Sequence, residues 1–119
     1  MPMIAYIVAA LAWWSQYTEV PTNVTWNWGT QEQFAAQIEA DVIGWSIVGS
    51  GHFTISRAHW NPMPRYERCS LVIHEVGHAI GFRHSEDPTN VMYERPAVPR
   101  QCHEAPFYRS KTKPKRKAR

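Results

Sequence analysis

Only two cysteines occur in this chain of 119 residues, Cys69 and Cys102. They form no Cys-x-x-Cys pair and neither has the spacing of a thiolate metal site, which excludes a zinc ribbon and a thioredoxin-like redox centre. No apolar run reaches the ~20 residues needed to cross a bilayer. Met3 to Trp14 is unbroken but stops at twelve. There is no internal repeat and no glycine–serine linker, so a solenoid and a flexibly tethered pair of domains are excluded. Acidic residues are absent from 111–119, where Lys111, Lys113, Lys115, Arg116, Lys117 and Arg119 stand together. Removing those six cations from the net charge of +3 leaves residues 1–110 at −3. The body is mildly acidic and the tail strongly basic. The tail reads as a solvated, disordered end that contacts polyanions weakly. No groove-reading motif accompanies it, so specific nucleic-acid recognition is not expected.

What is present suits one small domain. The apolar content of 44% is ordinary for a globular chain, and six tryptophans bury much area per residue. Three segments are expected: residues 1–20 as an apolar N-terminal segment, 21–110 as the domain proper, and 111–119 as the tail. The apolar run has two readings. It resembles the hydrophobic region of a secretory signal, with Ala10-Leu11-Ala12 like a small-residue cleavage site, although no Lys or Arg precedes it. It also suits a helix packed on the domain.

The richest stretch is residues 74 to 84, His-Glu-Val-Gly-His-Ala-Ile-Gly-Phe-Arg-His. On a helix, His74 and His78 leave the same face one turn apart. Gly81 can take a positive φ, which lets the chain turn sharply out of the helix and bring His84 back as a third ligand. Three neutral imidazoles leave one tetrahedral position of Zn²⁺ open to water. Zinc lowers the pKa of such a water to about 7, and Glu75 is placed to take its proton. A helix carrying histidines only for packing would not call for the glycine and the third histidine at these offsets.

These eleven residues resemble the long zinc-binding consensus of the metzincin metallopeptidases. Ser85 directly after the third histidine, and the pair Met92-Tyr93, resemble the matrixin branch. The resemblance implies a zinc endopeptidase with His74, His78 and His84 as ligands to one catalytic Zn²⁺ and Glu75 as general base. It implies Met92 as the hydrophobic floor of the site, with Tyr93 packing as a pocket wall. The close match covers Ile73 to Tyr93. The chain departs from the matrixin pattern at Glu94-Arg95-Pro96, where proline usually follows Met-Tyr. It is shorter than the usual matrixin catalytic domain and shows no convincing structural zinc site, calcium loop or activation-switch cysteine. A minimal, truncated member is therefore expected.

The rest of the chain supplies a frame. Val24 to Trp28 alternates and reads as a strand. Thr30 to Gln33 is a capping-box pattern, and Phe34, Ile38, Val42 and Trp45 then form a helical stripe over 31–45. Ile47 and Val48 suggest a short strand, or the helix stops early to lengthen it. His52 to Ala58 alternates again, and a helix follows over 66–80. The expected fold class is α+β: a minimal metzincin-like domain with a small twisted sheet packed on two helices, a zinc cleft, and a short irregular lower subdomain over 85–110 with at most one brief helix. The His52–Ala58 strand is the expected edge along which a peptide would lie. Cys69 and Cys102 would staple the zinc helix to the segment after Met92; the other reading is two separate buried thiols.

Lesser candidates complete the list. Asp87 is expected to fix the loop after His84 through backbone amides, and Arg83 to face solvent. Ser85 has no base–orienter pair and is not read as a nucleophile. His52, His59 and His103 read as loop or surface residues more readily than as a second metal site. The function expected is a monomeric, extracellular or extracytoplasmic zinc metallopeptidase acting on peptide or protein. The alternative is a zinc-stabilised binding module without turnover.

Overall fold

A computed structural model of the chain describes residues 1–30, 32 and 43–107. The basic tail, and the helix expected over 31–45 as far as residue 42, lie outside the described residues apart from residue 32. The elements in order are α1 (Met3–Trp14), β1 (Thr25–Gly29), β2 (Gly44–Ser46), β3 (His52–Ser56), α2 (Arg57–Trp60), α3 (Arg65–Ile80) and a 3₁₀ turn (Arg100–His103). The class is α+β, a three-stranded sheet with helices.

Two boundaries differ from the sequence reading. The helical stripe does not extend to Trp45, because residues 44–46 are extended and pair with β3. Ile47 and Val48 fall in the turn that follows, so the short strand sits earlier than expected. Ala58 belongs to α2 and not to the preceding strand. Ser56 is the reason: its hydroxyl accepts from the backbone of His59 at 3.5 Å and lies 2.8 Å from His59 Nδ1, an N-cap that turns the strand into a helix.

The strand order is β1-β3-β2, with β1 parallel and β2 antiparallel to β3. The expected edge is therefore wrong. β3 is the middle strand, paired on both sides, and cannot add a further chain. Its inward side chains, Phe53 and Ile55, have no exposure, which suits a central strand packed on α3.

α3 is buried on every side from Cys69 to Ala79. A helix covered all round needs partners on several faces. The sheet supplies one. α1 supplies another through Met3, Tyr6, Ile7, Ala10, Leu11 and Trp14, which recur at helical spacing and are all buried. Ile4 and Val8 on the opposite side of α1 stay exposed. No helix among the described residues is long and apolar enough to cross a membrane.

The end of α3 is closed by the β2–β3 turn. The amides of Gly49 and Gly51 donate to the carbonyls of His78 and Ala79 at 2.8 and 2.9 Å, satisfying carbonyls that a helix C-terminus leaves open. Gly49 takes φ 81°, a conformation that favours glycine, and so aims its N–H at the helix. Among the described residues beyond α3, the 3₁₀ turn is the one helical element. A disulfide between Cys69 and Cys102 ties that turn to α3.

Candidate metal centre

His74 and His78 project from the last two turns of α3. Gly81 ends the helix with φ 124°, where a side chain would be strained. The chain doubles back over Phe82 and Arg83, and His84 meets the other two. One ligating atom from each of the three rings can be chosen so that all lie within 4.8 Å of one another. The ring centroids stand 4.7, 5.3 and 4.8 Å apart.

The outer atoms of two rings are already engaged. His74 Nδ1 lies 2.7 Å from the Val91 carbonyl, and His78 Nδ1 lies 2.8 Å from the Phe82 carbonyl. A carbonyl only accepts, so each Nδ1 carries the hydrogen and donates it. That fixes the tautomer and leaves each Nε2 lone pair free, the arrangement found behind metal-bound imidazoles. Burial lowers the His74 pKa from 6.5 to about 4 against the opposing pull of its bond to Val91; burial likewise lowers that of His78. Neutral imidazoles are the form that binds metal. Three nitrogen donors of this kind fit zinc and leave room for a further ligand.

The sequence reading placed the ligand face toward a cleft. His74 and His78 are buried, and of the three histidines His84 is the exposed one. The loop after His84 covers the rest. Met92 is buried beneath α3, and Ser85 pairs with Tyr93, the Ser85 amide donating to the Met92 carbonyl at 2.8 Å. Half-buried Tyr93 thus stands on the segment that carries both Val91 and Met92. Asp87 accepts from the Thr89 amide and hydroxyl at 2.9 and 2.8 Å, which lowers its pKa and pins the loop. Arg83 is exposed. The remaining histidines sit in three other settings: His52 against Thr25 and Asn27, His59 on its cap, and His103 stacked on Tyr66.

Glu75 is almost wholly buried under β2. Ser46 Oγ donates to its Oε1 at 2.8 Å. A Cβ at Gly44 would sit 2.6 Å from Glu75 Oε2, so only glycine leaves room for the carboxyl group. Burial raises the Glu75 pKa from 4.5 to about 7, and the Ser46 bond opposes it. The neutral acid is favoured in the fold, so this contribution to stability is complete below pH ~4.5 and is lost as the pH rises through about 7. The loss totals about 3 kcal/mol. In metal-free protein, Glu75→Gln should therefore become more stable than wild type by up to that amount between pH 5 and 8. Urea unfolding in a chelator at both ends of the range measures it. His74 acts in the opposite sense, losing stability as the pH falls from 6.5 toward 4, but it does so in both proteins and cancels in the difference.

Four supporting residues escaped the sequence reading. Gly44 and Ser46 come to lie over Glu75 only because the sheet places them there. Trp14 reads as the end of an apolar run. Gly77 carried a usable signal: glycine inside a helix costs about 1 kcal/mol and usually marks a close approach. Here a Cβ would lie 2.5 Å from both Met92 Sδ and Trp14 Cζ2. Gly77→Ala should gain about 1 kcal/mol of helix propensity and lose about 1–3 kcal/mol to overpacking. Net destabilisation is expected, read from the denaturation midpoint; a more stable variant would show that Met92 and Trp14 can yield.

Comparison with known proteins places these observations. The sequence model of the matrixin family matches residues 22–104. A 23-residue stretch is 61% identical to a protein of Invertebrate iridescent virus 3 named probable matrix metalloproteinase 095L, and it makes up 19% of this chain and 6% of that protein. The chain thus aligns with a small fraction of that relative's length. No solved structure matches it significantly.

Proposed function

Because the chain belongs to the matrixin family, we propose that it is a zinc-dependent endopeptidase with His74, His78 and His84 holding the ion and Glu75 serving as general base. The observation that supports this most directly is the convergence of three imidazoles, two with Nδ1 committed to backbone carbonyls. When bound, zinc supplies Lewis acidity, which acidifies water and polarises a carbonyl.

The chain's own residues do the rest. Glu75 takes the proton of the attacking water and passes it to the leaving amine. Burial raises the pKa of the Glu75 carboxyl and so makes it a better proton acceptor, and the Ser46 hydroxyl holds Oε1 in one orientation. Among the described residues β2 is an edge strand, and Gly44 and Ser46 carry it directly over Glu75. A peptide that extends the sheet along β2 passes the general base, using main-chain hydrogen bonds that any sequence can make. Met92 supports the ligand helix from below, and Tyr93 lines the wall next to it. The disulfide favours an oxidising, extracytoplasmic setting.

The test joins metal content to cleavage. Purified protein should carry one zinc per chain and cut quenched peptides at internal bonds, and a chelator should stop it. A folded, zinc-loaded protein that leaves a broad peptide library intact would instead make this a metal-stapled binding module. A folded protein without stoichiometric metal would end both readings.

A further inference from the structure

We propose that Trp14 is a positioning residue for the metal ligands, so that α1, which precedes the family-matched segment 22–104, is a working part of the site. The inference rests on the zinc reading above. Trp14 packs against both segments that carry the carbonyl anchors of the ligand imidazoles. Its ring stacks on Phe82, with centroids 4.6 Å apart and planes at 20°. The Phe82 carbonyl is the group that orients His78. Trp14 Cζ2 and Met92 Sδ also converge on Gly77, each 2.5 Å from where a Cβ there would stand. Met92 follows Val91, whose carbonyl orients His74. The indole N–H donates to the Ile73 carbonyl at 2.8 Å, one residue before the first ligand. One buried side chain therefore fixes the helix between its two histidines and braces the two loop segments behind them. Groups that orient ligands from behind typically change metal affinity about 10–100-fold when altered.

Trp13 stacks edge-on against Trp14 and on Tyr17, farther out. Tyr6 and Ala9, earlier on the helix, serve other contacts: Tyr6 packs on Trp60 and Phe107, and the Ala9 carbonyl accepts from Gln101. The two ends of the helix can thus be tested apart.

The experiment measures metal dissociation constants by chelator competition, and the visible spectrum of the Co²⁺-loaded protein, in three variants of the full chain. Trp14→Leu removes ring and N–H; its affinity should fall about 10–100-fold with an altered cobalt spectrum. Trp14→Phe keeps a ring over Phe82 and should fall between Trp14→Leu and wild type. Ile7→Val, about two turns back on the same buried face, should lower the unfolding midpoint and leave the dissociation constant alone. A folded Trp14→Leu with wild-type affinity and spectrum overturns the proposal. If Trp14→Leu does not fold, equal affinity in Trp14→Phe and Ile7→Val overturns it. Failure of the zinc reading itself is separable, because it shows as absence of metal uptake by the wild type.

Discussion

Replacing Glu75 with glutamine is expected to lower kcat for peptide cleavage by on the order of 10²–10⁴-fold while leaving zinc content at the wild-type level. The change is nearly isosteric. The amide oxygen still accepts from Ser46 Oγ, and the side chain still fits beneath Gly44, so the fold around the site is kept. What disappears is the capacity to accept a proton and return it. The three imidazoles are untouched, so metal analysis should read the same in both proteins. Activity within a few-fold of wild type would sink the assignment of Glu75 as general base. A variant that loses both metal and activity would point to a structural role for the carboxyl group instead.

The second large effect concerns stability. Exchanging both Cys69 and Cys102 for serine is expected to cost about 4 kcal/mol, since the bridge closes a loop with a sequence separation of 33. Both residues are buried, at 2% and 0% exposure, so two polar hydroxyls would also be left inside the core. Small domains have only about 5–15 kcal/mol to lose. Urea unfolding with and without reductant measures the effect on the wild-type chain, and the double variant should be at least as destabilised as the reduced protein. An unchanged midpoint would mean that packing of α1 and the 3₁₀ turn on α3 already holds the loop closed.

How much of this was readable in advance depends on how local each feature is. The ligand helix was legible because its chemistry and its spacing lie within eleven residues; the expected 66–80 became Arg65–Ile80. The disulfide was one of two readings, and the structure forms it. The sheet order was not legible. Alternation marks a strand but does not say which neighbours it pairs with, so β3 was taken for the edge when β2 holds that place. Trp45 was read into a helix because residues near 3.6 spacing had accumulated ahead of it, yet pairing with Thr54 outweighs that preference. The supporting shell was the least visible part. Ser46 and Glu75 are 29 residues apart, and Trp14 and Ile73 are 59 apart. No periodicity joins residues at such distances; only the folded packing does.

The covalent link has a further consequence for a chain exposed to proteolysis. Every proposed ligand, the general base and Met92 fall between Cys69 and Cys102, and most of the stretch from Phe82 to Asn90 is open to solvent. A nick there severs the backbone but not the molecule. Clipped material would migrate as one species until a reductant separates it into two fragments, so damage to this loop would go unseen on an unreduced gel.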